Sequence, residues 1–180
     1  MQRMIPPKTL TFIPVNSNMT KLLSFALLML LLLSAIGINA IADSRDWTLQ
    51  STKGDKFTLS ESLGQKPLVL VFWATWCTPC KKELDEQRGL FDSLVVHGAS
   101  VVLVAEDNQK SMAKVKPYVE SKGYTWPVLM DPSGEVLRRY GGVSIPYTIV
   151  LDREGSVQYK MRGAVKDADQ FRSLISGLME

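Results

Sequence analysis

Pro67-Leu68-Val69-Leu70-Val71-Phe72-Trp73-Ala74-Thr75-Trp76-Cys77-Thr78-Pro79-Cys80-Lys81-Lys82-Glu83 contains both cysteines of the 180-residue chain. The unbroken apolar run from Leu68 to Trp73, rich in Val and aromatics and without helical period, reads as a buried strand. The residues after Cys77 read as a helix, because Pro79 is tolerated in a first turn, where its missing N–H has no partner anyway. The cysteine pair therefore falls at a strand-to-helix junction. Unpaired N–H groups and the positive end of the helix dipole favour a thiolate at Cys77 there, and Lys81 and Lys82 act in the same sense. Cys80, one turn deeper, faces back toward Cys77 and can attack a mixed disulfide formed on it. Cys77 is thus expected to be the exposed nucleophile and Cys80 the resolving thiol.

Other uses of a vicinal pair fit less well. Structural zinc wants four ligands, and the only other soft candidate is His97, the single histidine. That residue stands just before Gly98, where it suits the negative end of a helix. A structural disulfide across so short a loop removes little entropy from the unfolded chain. Thiol–disulfide chemistry is the better use of the pair.

Outward from this centre, the N-terminal part carries an apolar stretch, Leu22-Leu23-Ser24-Phe25-Ala26-Leu27-Leu28-Met29-Leu30-Leu31-Leu32-Leu33, ahead of Ala40-Ile41-Ala42. This is the layout of a secretory signal peptide over residues 1–42, cleaved after Ala42, with 43–180 as the mature domain. Met1 to Asn18 is unusual for such a leader, with Pro6, Pro7 and Pro14 and few charges, and Met19-Thr20-Lys21 offers a conventional start. The alternative is an uncleaved anchor, since Leu22 to Ile38 approaches the length of a membrane span. Either way the domain is expected in the periplasm or another exported compartment, with a membrane tether in the second case. An exported chain whose only cysteines form the motif has no staples and must be held by packing. Residues 43–180, roughly 140 in number, suffice for one domain with a real core. The net charge is +3. Arg3, Lys8 and Lys21 account for it, so the mature part is electrically balanced and no basic patch argues for nucleic acid.

Along the mature part, Asp46 to Gln50 and Lys56 to Leu59 read as an N-terminal hairpin turning through Lys53-Gly54-Asp55, with Ser60 capping a single turn before Gly64. The cysteine helix is expected over Thr78 to Val96. Ala99 to Ala105 reads as a second buried strand, and the two strands with their helix form a βαβ unit on a parallel sheet. Asp107-Asn108 offers a cap for a helix toward Gly123 that Pro117 must kink or split. Trp126 to Asp131 reads as a short strand and Gly134 to Tyr140 as a short helix. Pro146 stands just ahead of the strand Tyr147 to Leu151, a place where a turn can hold either a trans or a cis proline. Arg153-Glu154-Gly155 turns that strand into a hairpin with Ser156 to Met161. Asp167 caps a last helix with Phe171, Leu174, Ile175 and Leu178 on one face. The expected class is α/β, a mixed sheet flanked by helices, with an N-terminal β-hairpin and a central α-β-α insertion.

Phe72 to Glu83, together with Gly142-Val143-Ser144-Ile145-Pro146 and Leu151-Asp152-Arg153-Glu154-Gly155, resembles the TlpA/ResA-like thiol-disulfide oxidoreductases of the thioredoxin superfamily. The resemblance spans essentially the whole mature domain and implies a thioredoxin fold. It implies Cys77 as the attacking and Cys80 as the resolving cysteine, Trp76 as the flanking aromatic, and Pro146 as the cis proline. Ile145 would then offer backbone hydrogen bonds to a bound substrate strand. Glu83 matches the acidic residue that tunes protonation of the dithiol, although a first-turn acid is also what a helix dipole favours by itself.

The chain also departs from its relatives. Val71 stands where thioredoxin carries a buried aspartate, Asp85 where many relatives have a helix-kinking proline, and Tyr147 where they commonly have Thr, which is expected to narrow the substrate groove. The acidic motif of the cytochrome c maturation thioredoxins is absent after Pro146.

What the resemblance implies is an exported enzyme that reduces protein disulfides through a mixed disulfide. It would need no cofactor or metal, and a membrane thiol-relay protein would recharge it. Its clients would be disulfide-bearing proteins, such as apocytochrome c or the cysteines of a copper site. The same chemistry run backwards gives a disulfide oxidase or isomerase. A peroxidase fits poorly: peroxiredoxins place Pro and Thr or Ser at fixed steps ahead of their cysteine, and those places hold Leu70 and Ala74, or Trp73 and Cys77. A third reading is a module binding Cu(I) or another soft metal through the two thiolates and a nearby Met112, Met130 or Met161.

Overall fold

A computed structural model describes residues 46–179, and the readings of the leader lie outside them. The N-terminal hairpin forms as β1 (Thr48–Ser51) and β2 (Lys56–Thr58), followed by a single helical turn, α1 (Leu59–Ser62). The βαβ unit is β3 (Leu68–Trp73), two helices α2 (Thr78–Glu86) and α3 (Arg88–Val96), and β4 (Ser100–Ala105). The insertion comprises α4 (Val115–Lys122), β5 (Val128–Met130) and α5 (Glu135–Arg139). The chain closes with β6 (Tyr147–Leu151), β7 (Val157–Arg162) and α6 (Ala168–Gly177).

The strands form one mixed sheet in the order β2-β1-β5-β4-β3-β6-β7. The β3–β4 and β4–β5 pairs are parallel, whereas β3–β6, β6–β7, β1–β5 and β1–β2 are antiparallel. β5 thus joins the hairpin to the central strands.

Every residue of β3 is buried. Val69, Val71 and Trp73 pack with Leu84, Phe91, Leu94, Phe171 and Ile175 on one face, while Leu68, Leu70 and Phe72 pack with Val136, Leu137, Tyr147 and Leu59 on the other. Because both faces are covered, the strand reads in sequence as a continuous apolar run rather than an alternation. Asp167 caps α6 as expected, its carboxylate accepting from Asp169 N and Gln170 N. Phe171 and Ile175 on the expected face are buried, and Leu174 and Leu178 pack half-buried beside them. His97 closes α3, its Nδ1 lying 2.7 Å from the Ser93 carbonyl.

Three local expectations are corrected. The cysteine helix is not continuous from Thr78 to Val96. It breaks at Gln87, whose φ of −96° and ψ of 10° end α2 and begin α3. Periodicity could not reveal this, because Cys80, Leu84, Gln87, Phe91 and Leu94 follow one helical stripe straight through the break. Asp107 does not cap a helix. α4 begins only at Val115, after a 3₁₀ turn over Met112–Lys114, so Pro117 sits harmlessly in its first turn. Ser60 lies inside α1 rather than capping it, and its hydroxyl donates to Asp46 at 2.7 Å.

Gly142, just ahead of the proline loop, is tightly enclosed: a Cβ there would lie 2.2 Å from Leu137 Cδ1 and 2.9 Å from Tyr147 Cδ1. Gly142→Ala must therefore displace two core side chains, and it is expected to cost roughly 1–3 kcal/mol, read as a lowered urea midpoint with an unchanged slope.

Candidate active site

β3 ends at Trp73, and the chain turns through Ala74, Thr75 and Trp76 into α2. Cys77 is the N-cap of that helix: its sulfur accepts from Cys80 N at 3.2 Å, and its own N–H donates to the Ala74 carbonyl at 3.0 Å. Cys77 and Cys80 are joined as a disulfide with their Cα atoms 5.3 Å apart. Cys77 is the outer of the two, but it is less exposed than the sequence suggested. It retains 5 % of its surface, against 0 % for Cys80. Trp76 beside it is 60 % exposed. An N–H aimed at the Cys77 sulfur is the arrangement that stabilises a thiolate once the disulfide is reduced.

The antiparallel register sets Phe72 opposite Tyr147. Ile145 and Pro146 therefore enter the sheet at the end from which β3 delivers Trp76 and Cys77. The Ile145–Pro146 bond is cis. Pro146 is buried and Ile145 half-buried, and among the described residues neither backbone group of Ile145 is hydrogen-bonded. Tyr147 does not narrow a groove. It is buried against Phe72 and donates its hydroxyl to the Tyr140 carbonyl at 3.0 Å, holding the loop that leads to Pro146.

Glu83 follows Cys80 by three residues, so the two side chains are neighbours on the helix surface. It is 1 % exposed, and among the described residues no cation pairs with it. Oε1 accepts from Val165 N at 2.9 Å, and Oε2 is buried without a partner among the described residues. Burial pushes the Glu83 carboxyl up to about 7, against the smaller opposing effect of the Val165 N–H.

Sequence reading missed the groups that hold these loops. Asp107, fully buried, accepts from Thr75 N at 2.8 Å and from Thr75 Oγ1 at 2.5 Å, which clamps the loop carrying Cys77. Asp131 accepts from Glu135 N at 3.0 Å and Val136 N at 2.8 Å, anchoring the start of α5. Val165 was missed as well. Only the strand ends that bring these residues to one edge of the sheet reveal them, and a one-dimensional pattern carries no such signal.

Residues 42–160 match the AhpC/TSA family. The chain belongs to that family. It is 32 % identical over 123 residues to the thioredoxin-like protein YneN of Bacillus subtilis, covering 68 % of this chain and 71 % of that one. It is 30 % identical over 127 residues to the thiol-disulfide oxidoreductase ResA of the same organism, covering 71 % and 69 %. Among solved structures, the exposed lipoprotein thioredoxin Etrx1 of Streptococcus pneumoniae superposes with a TM-score of 0.63 at 29 % identity, covering 73 % of this chain and 98 % of that one. The α/β architecture expected from the sequence is a thioredoxin-like fold, and the protein is a thiol-disulfide oxidoreductase.

In the unfolded chain the Glu83 carboxyl titrates near 4.5, whereas the fold holds its proton up to about 7. The folded state therefore binds more protons across that window, and this group's contribution to stability is complete below pH 4.5 and lost as the pH rises to 7. The loss is on the order of 3 kcal/mol. Urea unfolding of the oxidised protein across that window should show the decline, and Glu83→Gln should remove Glu83's part of the slope while leaving the part that belongs to the other raised carboxyl, Glu106.

Proposed function

We propose that this enzyme is an exported reductant of disulfides in other proteins. The observation that carries the reading is a cysteine at a helix N-cap followed, one turn beyond its partner, by a buried carboxyl held near neutral pH. The Cys77 thiolate attacks one sulfur of a client disulfide, and the client's other sulfur leaves as a thiolate. Cys80 gives its proton to Glu83 and attacks the Cys77 sulfur. The client's second thiolate then departs, leaving the Cys77–Cys80 disulfide. Two electrons pass to the client at each cycle, and its thiolates take up protons from solvent.

Glu83 suits this step because a base works best when its proton affinity lies near the working pH. It takes the place of the carboxylate that Val71 cannot supply. Trp76 and the Ile145–Pro146 backbone would flank the bound client strand, whose extended backbone can hydrogen-bond Ile145.

Export rests on the apolar stretch Leu22 to Leu33 and on Ala40-Ile41-Ala42. An oxidising compartment returns the pair to the disulfide, so the reducing direction implies a membrane thiol-relay protein as donor. Apocytochrome c and copper-site cysteines are the client classes that fit a periplasmic reductant.

Cys80→Ser should trap a dithiothreitol-sensitive adduct between Cys77 and a disulfide protein such as insulin, and Cys77→Ser should trap none. Equilibrating the wild-type pair against glutathione then fixes the direction. A potential near or below about −270 mV supports the reductant, whereas one near about −120 mV makes the protein a disulfide donor.

A further inference from the structure

Val165 lies in the loop between β7 and α6 and is 4 % exposed. Side chains of the cysteine helix bind both of its backbone groups. Its N–H donates to Glu83 Oε1 at 2.9 Å, and its carbonyl accepts from Gln87 Nε2 at 3.1 Å. Glu83 and Gln87 are four residues apart, hence on one helix face, and they grip one peptide unit on each side of it. Gln87 is also the residue at which α2 gives way to α3, with its own N–H donating to the Glu83 carbonyl at 2.8 Å. A polar residue at this position on the apolar stripe is accounted for by that grip.

We propose that Gln87 is a positioning residue for Glu83: by holding the Val165 carbonyl it aims the Val165 N–H at Oε1 and leaves Oε2 as the oxygen that exchanges a proton with Cys80. The inference rests on the reading of Glu83 as the proton acceptor of the dithiol. A carboxylate that accepts one N–H bond holds its proton less tightly than one that accepts none. The Val165 N–H therefore sets the pH at which Glu83 is free to act, and Gln87 sets the position of that N–H. The titratable groups on the elements around Glu83 are Cys80, Lys81, Lys82, Asp85 and Glu86 on its own helix, Lys166 and Asp167 beside Val165, and Tyr159, Lys160 and Arg162 on β7. Of these, Cys80 alone is buried.

Gln87→Met keeps the length and helix preference of the side chain and removes its donor. The reduced full chain is mixed with saturating oxidised glutathione between pH 5 and 9, and tryptophan fluorescence follows formation of the Cys77–Cys80 disulfide. At saturation the rate belongs to the step in which Cys80 displaces glutathione from Cys77. In the wild type this rate should rise through an inflection due to Glu83. Gln87→Met should move that inflection to higher pH by roughly half a unit or more. Glu83→Gln should lack it, and the double variant should match Glu83→Gln.

Amide exchange gives a second readout: in Gln87→Met the Val165 N–H should exchange faster while that of Phe171 is unchanged. If the Gln87→Met profile superimposes on the wild type while Glu83→Gln loses the inflection, Gln87 has no positioning role and the reading of Glu83 stands. If Glu83→Gln keeps the wild-type inflection, both readings fall.

Discussion

Because β3 and β6 run antiparallel with Phe72 opposite Tyr147, the C-terminal end of one strand and the N-terminal end of the other share one edge of the sheet. That register brings the cysteine turn and the cis proline together, and the β6–β7 pair, with Tyr147 opposite Arg162, adds the loop that carries Val165. It is strongly specified, since β3 is buried on both faces and a slip of one residue would exchange Val69, Val71 and Trp73 with Leu68, Leu70 and Phe72. The two sets differ in shape. Trp73 meets Tyr118 at a centroid distance of 5.5 Å on one side, and Phe72 meets Tyr147 at 6.1 Å on the other. Packing on the two faces of one strand thus fixes the geometry of the chemistry at its end.

A carboxyl group enclosed as Glu83 is costs several kcal/mol if it is charged and unpaired, and the fold tolerates it because the group keeps its proton until about neutral pH. The orphaned Oε2 stands with Trp73 Nε1 and Glu106 Oε1 as a buried polar atom without a partner among the described residues at this end of the sheet. Such departures concentrate where a group must change its protonation state in the course of a reaction. The disulfide itself has nothing to titrate, so in the oxidised protein Glu83 is the group beside the pair that still can.

The sequence disclosed the strand, the cysteine turn, the proline ahead of β6 and the succession of elements around them, because each has a local cause: a continuous apolar run, a first-turn proline, a proline ahead of a strand. The break at Gln87 was illegible, since the apolar stripe passes through it and the side chain's partner is a carbonyl on the loop after β7. The role of Asp107 was misread for a similar reason. An Asp-Asn pair after a strand is a fair helix cap by local rules, yet Thr75 supplies two donors from another strand's end and takes the carboxylate for itself. Tyr147 was placed correctly along the chain and wrongly across it, as the alternation of β6 turns its ring into the core. What escaped in each case was a partner distant in sequence.

The carboxyl groups at this edge divide by how many donors they meet. Asp107 takes two from Thr75, and Asp131 takes backbone N–H groups of α5 with the Ser133 hydroxyl at 3.3 Å, so both are committed to holding loops. Glu106 is pushed up to about 8, by burial first and then by the neighbouring charge of Asp131. Glu83 shares with Glu106 a buried oxygen that has no partner among the described residues, and differs in accepting a backbone N–H on its other oxygen and in standing one turn from Cys80. A fully satisfied carboxylate is an anchor. A buried carboxyl with one oxygen left open can take a proton from a neighbouring thiol and give it up again, and among the described residues of α2 Glu83 is the buried carboxyl.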